Sequence, residues 1–390
     1  MKTLSDLHDL DGSRVLVRVD FNVPLKDGAV ADDTRIRAAL PTLQELRRRG
    51  ARLVLVSHLG RPKDREPSLS MAPVATRLSQ LLGATVTLAP AVVGPEVLEQ
   101  IASLDRGGVL MLENVRYEPG ETANDGELSE QLATLADVYV DDAFGAAHRA
   151  HASTEGVAHL TSQRAAGLLL QREVTTLTRL LTDPKRPLVA LLGGAKVSDK
   201  LAVIDRFRVL ADTILIGGAM AFPFLAAQGH EVGDSLCSAQ DVELARRTLA
   251  QWSGSRAQLR LPVDLVVAER LADDVHARTL DSLEVPYGMI GLDIGPRTAA
   301  AYREAIVAAG TVFWNGPMGA FETAPFAAGT RAVAEAVADA LGTTIVGGGD
   351  SAAALRQFGL DGAVTHLSTG GGAALELIEG KTLPGVEVLA

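Results

Sequence analysis

Arg52-Leu-Val-Leu-Val-Ser-His-Leu-Gly-Arg61 passes from an unbroken apolar run into a polar turn. Apolar residues without alternation suit a strand buried on both faces, as in a parallel sheet covered by helices. The segment just before it, residues 38–49, has the spacing of an amphipathic helix. Thr213-Ile-Leu-Ile-Gly217 repeats the apolar-run pattern in the second half of the chain.

Outward from these runs, short β-rich stretches alternate with helical patterns almost throughout. Strands are expected at residues 14–21, 52–57, 84–88, 109–114 and 137–142. A second set falls at 188–192, 213–217, 258–261, 265–268, 311–315 and 344–347. Further helical patterns occupy 171–181 and 330–341. This alternation reads as βαβ units around parallel sheets. The expected architecture is α/β: two Rossmann-like lobes, each a parallel sheet flanked by helices, joined by a hinge helix. Thr182-Asp-Pro-Lys-Arg-Pro187 breaks the helical pattern, because proline fixes φ and removes a donor. The boundary therefore falls within residues 163–187.

A chain of 390 residues, 47% of them hydrophobic, suits two domains. No apolar run approaches the roughly 18 residues of a membrane-spanning helix. Met1-Lys-Thr-Leu-Ser-Asp6 has no apolar signal region. The single cysteine, Cys237, rules out an internal disulfide framework and suits a reducing cytoplasm. A net charge of -11 argues against nucleic acid as the main partner. Small anions need only a local cluster of positive charge. No membrane partner is expected, and the chain is expected to be a monomer.

In open parallel sheets, ligands bind beyond the carboxyl ends of the strands. In the first half those ends read Arg18-Val-Asp-Phe-Asn22, Ser57-His-Leu-Gly-Arg61, Glu113-Asn-Val-Arg116 and Ala143-Phe-Gly-Ala-Ala-His-Arg-Ala-His151, with Arg35 after the first connection. One such arginine is more often a solvated surface charge. Their recurrence at successive strand ends points to a pocket for a small, multiply charged anion, because guanidinium forks match carboxylate and phosphate.

The second half is glycine-rich at the same places: Gly193-Gly-Ala-Lys196, Gly217-Gly218, Gly347-Gly-Gly-Asp-Ser351 and Thr369-Gly-Gly-Gly372. Tight turns need glycine too, so one pair says little. A triple glycine followed by Asp-Ser and a helical run is a natural phosphate site. Ser198 reads as an N-cap, which puts Lys200 in a first helical turn. Cations are unfavourable there, and the placement suggests an anionic partner. The chain has neither a GxxxxGK[ST] loop nor a GxGxxG in a first βα turn.

In order and approximate spacing, these segments resemble the signatures of phosphoglycerate kinases. Trp314-Asn-Gly-Pro-Met-Gly319 with Glu322, and the closing Gly380-Lys-Thr-Leu-Pro-Gly-Val-Glu387, belong to the same set. The resemblance covers nearly the whole chain. It implies reversible transfer of the 1-phosphoryl group of 1,3-bisphosphoglycerate to ADP, giving 3-phosphoglycerate and ATP. Asp20, Phe21, Asn22, Arg35, His58, Leu59, Gly60, Arg61, Arg116 and Arg149 would then hold phosphoglycerate. Gly194, Lys196, Lys200, Gly217, Gly291, Asn315, Glu322, Gly348, Gly349, Asp350 and Ser351 would hold the nucleotide. Asp350 would stand near Mg2+, and Lys196 and Arg35 would contact the group in flight. The phosphoglycerate domain would comprise residues 1–170 with a C-terminal return over 373–390, and the nucleotide domain 171–372. Three positions depart from the family pattern: Asp141 for Asn, Pro223 for Thr and Ala226 for Lys. The rival readings are another ATP-dependent kinase of small carboxylates and a non-catalytic member of the fold.

Overall fold

A computed structural model describes residues 1–390. In the first half, β1 (Arg14–Arg18), β2 (Arg52–Val56), β3 (Val86–Leu88), β4 (Val109–Met111), β5 (Val138–Asp141) and β6 (Gln163–Ala166) form one sheet. Its order is β3-β4-β2-β1-β5-β6, with every pair parallel. Leu53, Val54, Leu55 and Val56 are wholly buried, as an apolar run covered on both faces must be.

Helix α1 (Thr34–Arg48) packs on this sheet through Ile36, Ala39, Leu43 and Leu46, one stripe at helical spacing. It starts four residues earlier than its apolar pattern suggested, because Asp32 accepts the Thr34 N–H at 2.8 Å and fixes the entry. Pro41 lies inside it.

The second half builds a matching parallel sheet from β7 (Leu188–Leu192), β8 (Thr213–Ile216) and β9 (Gln258–Arg260), completed by three later strands. A separate antiparallel sheet comprises β10 (Leu265–Ala268), β11 (Arg278–Leu280) and β12 (Ile290–Ile294), in the order β11-β10-β12. The main sheet resumes with β13 (Thr311–Asn315), β14 (Thr343–Gly347) and β15 (His366–Leu367), in the order β9-β8-β7-β13-β14-β15.

Contacts divide the chain into one unit of Met1–Thr175 with Gly380–Ala390, and another of Thr176–Glu379. The boundary falls inside helix α2 (Leu168–Thr182). Asp142 fastens the start of α2 by accepting the Leu169 and Leu170 N–H groups at 2.9 and 3.3 Å. The C-terminal segment joins the first unit through backbone bonds, Lys2 N–H to Leu389 O at 2.7 Å and Gly385 N–H to Ala147 O at 2.9 Å. No helix is long and apolar enough to cross a membrane.

Candidate active site

Beyond the carboxyl ends of β1, β2 and β4 lies a cavity of about 870 Å3. Asn22, His58, Gly60, Arg61, Arg116 and Arg149 line it, together with Arg18, Lys63, His148 and His151. Each closes or follows one of these strands or β5, so the sheet's parallel registration gathers residues remote in sequence. Asn22 Oδ1 accepts the Gly60 N–H at 2.8 Å, and Arg116 Nη1 donates to Gly60 O at 2.7 Å. These bonds lock the turn after β2 against the turns after β1 and β4.

Asp20 and Arg35 pair at 2.9 Å, and the same Arg35 nitrogen donates to Asn22 O at 3.3 Å. Neither lines the cavity, although their Asn22 link borders it. Burial pushes the Asp20 carboxyl up, but the Arg35 charge, helped by Arg18, outweighs it and holds the group below its ordinary range. The Phe21 and Leu59 side chains belong to the hydrophobic core. Those two can offer only backbone to a ligand. Leu59 N–H donates to Asn114 Oδ1 at 3.1 Å, and Phe21 N–H donates to Ser57 Oγ at 2.9 Å.

Burial and the neighbouring Arg18 charge lower the pKa of Arg116. Such crowding of like charge is unfavourable, and an anion relieves it. Arg18 stands in the strand-end set but not among the residues that the family resemblance implies, and Lys63 stands in neither. Arg18 is 1% exposed at the end of β1 and lines the cavity. The signal was present: an arginine closing a strand buried on both faces must have partners.

In the second unit a cavity of about 500 Å3 is lined by Gly194, Gly291, Glu322 and Asp350, with Leu236, Leu271, Ile290 and Pro317. Apolar walls with a few polar groups suit a flat heterocycle carrying a charged tail. At Gly291 a Cβ would stand 2.1 Å from the Phe222 ring, so only glycine fits between that ring and the cavity. Gly217, Lys196, Lys200, Asn315, Gly348, Gly349 and Ser351 do not line this cavity. Several of them form a hydrogen-bonded group close by. Lys200 Nζ donates to Asn315 Oδ1, and Asn315 Nδ2 donates to Gly347 O at 2.8 Å. Ser351 Oγ accepts the Gly316 N–H at 2.6 Å. Gly348, at φ 94°, caps helix α3 (Gly349–Gln357), whose first turn carries Asp350.

Lys200 stands at the N-cap position of the helix Leu201–Leu210, not inside its first turn. Ser198 is not the cap. Lys200 N–H closes a turn on Val197 O at 3.0 Å, and Ser198 N–H is held by Asp241 Oδ1 at 3.2 Å. Burial lowers the Lys200 pKa, against the opposing charges of Asp350, Asp199 and Glu379.

The family model described as Phosphoglycerate kinase matches residues 4–381. A phosphoglycerate kinase of Moorella thermoacetica is 54% identical over 388 residues, spanning 99% of this chain and 98% of that one. One from Chlorobium chlorochromatii is 50% identical over 393 residues, spanning 100% and 99%. The solved phosphoglycerate kinase of Coxiella burnetii superposes with a TM-score of 0.89 at 40% identity, covering 99% of this chain and 98% of that one. That of Pyrococcus horikoshii gives 0.86 at 33%, covering 100% and 98%. Similarity in sequence and in backbone thus runs the length of the molecule, and the chain belongs to the phosphoglycerate kinase family.

Proposed function

We propose that the chain moves a phosphoryl group between 1,3-bisphosphoglycerate and ADP, with phosphoglycerate in the cation-lined cavity and nucleotide on the glycine-rich unit. One observation carries this reading. In an acidic protein, Arg18, Arg61, Arg116 and Arg149 meet at a single cavity. Asn22 borders that cavity and is suited to a hydroxyl group; Asp20, behind it, holds Arg35 in place.

Both substrates are polyanions, so the protein's tasks are alignment and charge neutralisation. In the ATP-forming direction the leaving group is a carboxylate and the acceptor is an ADP phosphate oxygen. Neither step moves a proton, and no general base is required. Lys196 and Arg35 are assigned to the group in flight; Lys200, Asn315 and the amides of Gly348, Gly349 and Ser351 hold the nucleotide phosphates.

Mg2+ fits the residues present. No group of three or more His, Cys, Asp or Glu could form a protein metal cage. Asp350 lines the nucleotide cavity at a helix start; Asp234 and Glu322 also line it but form no cluster with it. One carboxylate suits an ion that keeps water and binds mainly through substrate phosphates. When bound, Mg2+ supplies charge neutralisation between the phosphates. The helix α2 is proposed as a hinge, and the protein as a cytoplasmic monomer.

A coupled assay with ATP, Mg2+ and 3-phosphoglycerate tests the function. Turnover with 3-phosphoglycerate and none with acetate is expected. Turnover with acetate alone would assign a different carboxylate kinase, and inactivity with both a non-catalytic role.

A further inference from the structure

Glu121 is a carboxylate that the mechanism leaves unused, yet it is fully buried behind the anion cavity. An ionised carboxylate is costly in such a place unless its lone pairs are filled. Here Oε2 accepts the Ser153 N–H at 2.9 Å, and Oε1 accepts the Ser153 Oγ–H at 2.7 Å. His151 Nδ1 lies 3.6 Å from Oε1. Burial pushes the Glu121 carboxyl up, but His151, the Arg18 charge and Ser153 outweigh it and hold the group below its ordinary value.

The bonds run on in one direction. A serine hydroxyl has a single proton, and Ser153 gives it to Glu121. Its oxygen is left as an acceptor for Arg18 Nε, at 2.8 Å. Arg18 Nη1 donates to Val19 O. With two corners of the guanidinium fixed, Nη2 points at His58 Nδ1, 3.2 Å away. A guanidinium only donates and does not lose its proton in proteins. His58 Nδ1 is therefore the acceptor, and the proton of the neutral ring sits on Nε2.

We propose that Glu121 is a positioning residue that, through Ser153 and Arg18, fixes His58 in its Nε2–H tautomer, so that His58 meets phosphoglycerate as a neutral hydrogen-bond donor and not as a cation. This rests on reading the cavity as the phosphoglycerate site. The charged groups around His58 agree with it. Burial is the strongest influence, and Arg18 and Arg116 add to it against the opposing Asp20 and Glu121; together they push the His58 pKa down to about 3. Arginines and Lys63 then carry the cavity's positive charge, and the donor from His58 does not fade as pH rises through the ordinary histidine range.

Nitrogen-15 NMR of histidine-labelled full-length protein tests this directly, with His58 assigned by His58→Gln. Expected at pH 7 is a neutral His58 bearing its proton on Nε2, unchanged between pH 5.5 and 8. An Nδ1–H ring, or a His58 titration midpoint inside that window, overturns the proposal. Ser153→Ala and Glu121→Gln break the relay at two points. Each is expected to mix the tautomers and raise KM for 3-phosphoglycerate about tenfold, the scale of one buried charge-assisted bond, with KM for ATP unchanged. If Glu121→Gln does not fold, Ser153→Ala, which removes one oxygen, still decides. Folded variants with wild-type tautomer and KM overturn the role of Glu121. Titration with 3-phosphoglycerate separates the two readings. Saturable binding beside an Nδ1–H His58 sinks this inference alone, whereas no perturbation of any cavity residue sinks the site assignment and this proposal with it.

Discussion

Lys196 lies exposed in the turn after β7, with no side-chain hydrogen bond among those observed. An exposed lysine contributes little to stability, so its replacement reads chemistry cleanly. Lys196→Ala is expected to lower kcat by on the order of a hundredfold or more, as for removal of one donor to developing charge, with the melting temperature held. An unchanged kcat would take Lys196 out of the transition state. Asp141 is the opposite case. It is fully buried; Oδ1 accepts the Ala143 N–H at 2.9 Å, while Oδ2 lacks a partner and lies against Gly385. Burial pushes its pKa up to about 7. Between about pH 4 and 7 the folded chain keeps this proton and the unfolded chain releases it, so this group's contribution to stability falls as pH rises through that window. Asp141→Asn removes the dependence. The variant is expected to melt above the parent at pH 8, with the gap narrowing toward pH 5; a gap that widens on acidification contradicts this account. Single residues were legible in sequence where they stood in a motif, as Arg61 and Arg116 did. Glu121 was not, because its role depends on Ser153 and Arg18, which only the folded chain brings to it.

At the scale of elements, the strands read from sequence were mostly those with continuous apolar runs, such as β2, β7 and β13; β9, Gln258-Leu-Arg260, was read from its place in the alternation instead. The missed ones lacked that signal. Gln163-Arg-Ala-Ala166 has no β-branched residue and forms the edge strand β6, while β15 is two residues long. Strands β11 and β12 pair antiparallel with β10 and so lack a helix between strands, which was the cue for the rest. The loop into α3 shows how an element can depend on one position. Gly348 adopts φ 94° and ψ 145°, a region nearly confined to glycine, and a Cβ there would stand 2.7 Å from Asn315 Nδ2. Gly348→Ala is expected to cost on the order of 1–3 kcal/mol of stability. It should also raise KM for ATP well above any change for 3-phosphoglycerate, because Asn315 holds Lys200 and the start of α3 carries Asp350. Equal effects on both substrates would argue against a nucleotide role for this loop.

For the whole molecule, alternation of strand and helix was sufficient to give two parallel sheets, because each βαβ unit carries its own signal. The extent of the C-terminal segment was less legible. Gly380–Ala390 meets the first unit through two backbone bonds and the Arg164 Nε–H on Val388 O, contacts to which sequence pattern is blind. The chemistry also constrains the pair of units. Every residue lining the cationic cavity belongs to the first, and every residue lining the apolar cavity to the second. In-line transfer needs reacting atoms roughly 3–3.5 Å apart. A ligand shifts a conformational equilibrium only by its differential affinity for the two states. On the proposed assignment, either substrate alone would contact its own unit and have little preference; both together would gain from bringing the reacting groups into line. The radius of gyration in solution scattering is therefore expected to fall when 3-phosphoglycerate and a non-hydrolysable ATP analogue are added together, and to change little with either alone. Stiffening α2 should slow turnover without weakening either binary complex. An active enzyme whose ternary complex scatters like the free chain would rule out bending at α2 as a step of the reaction.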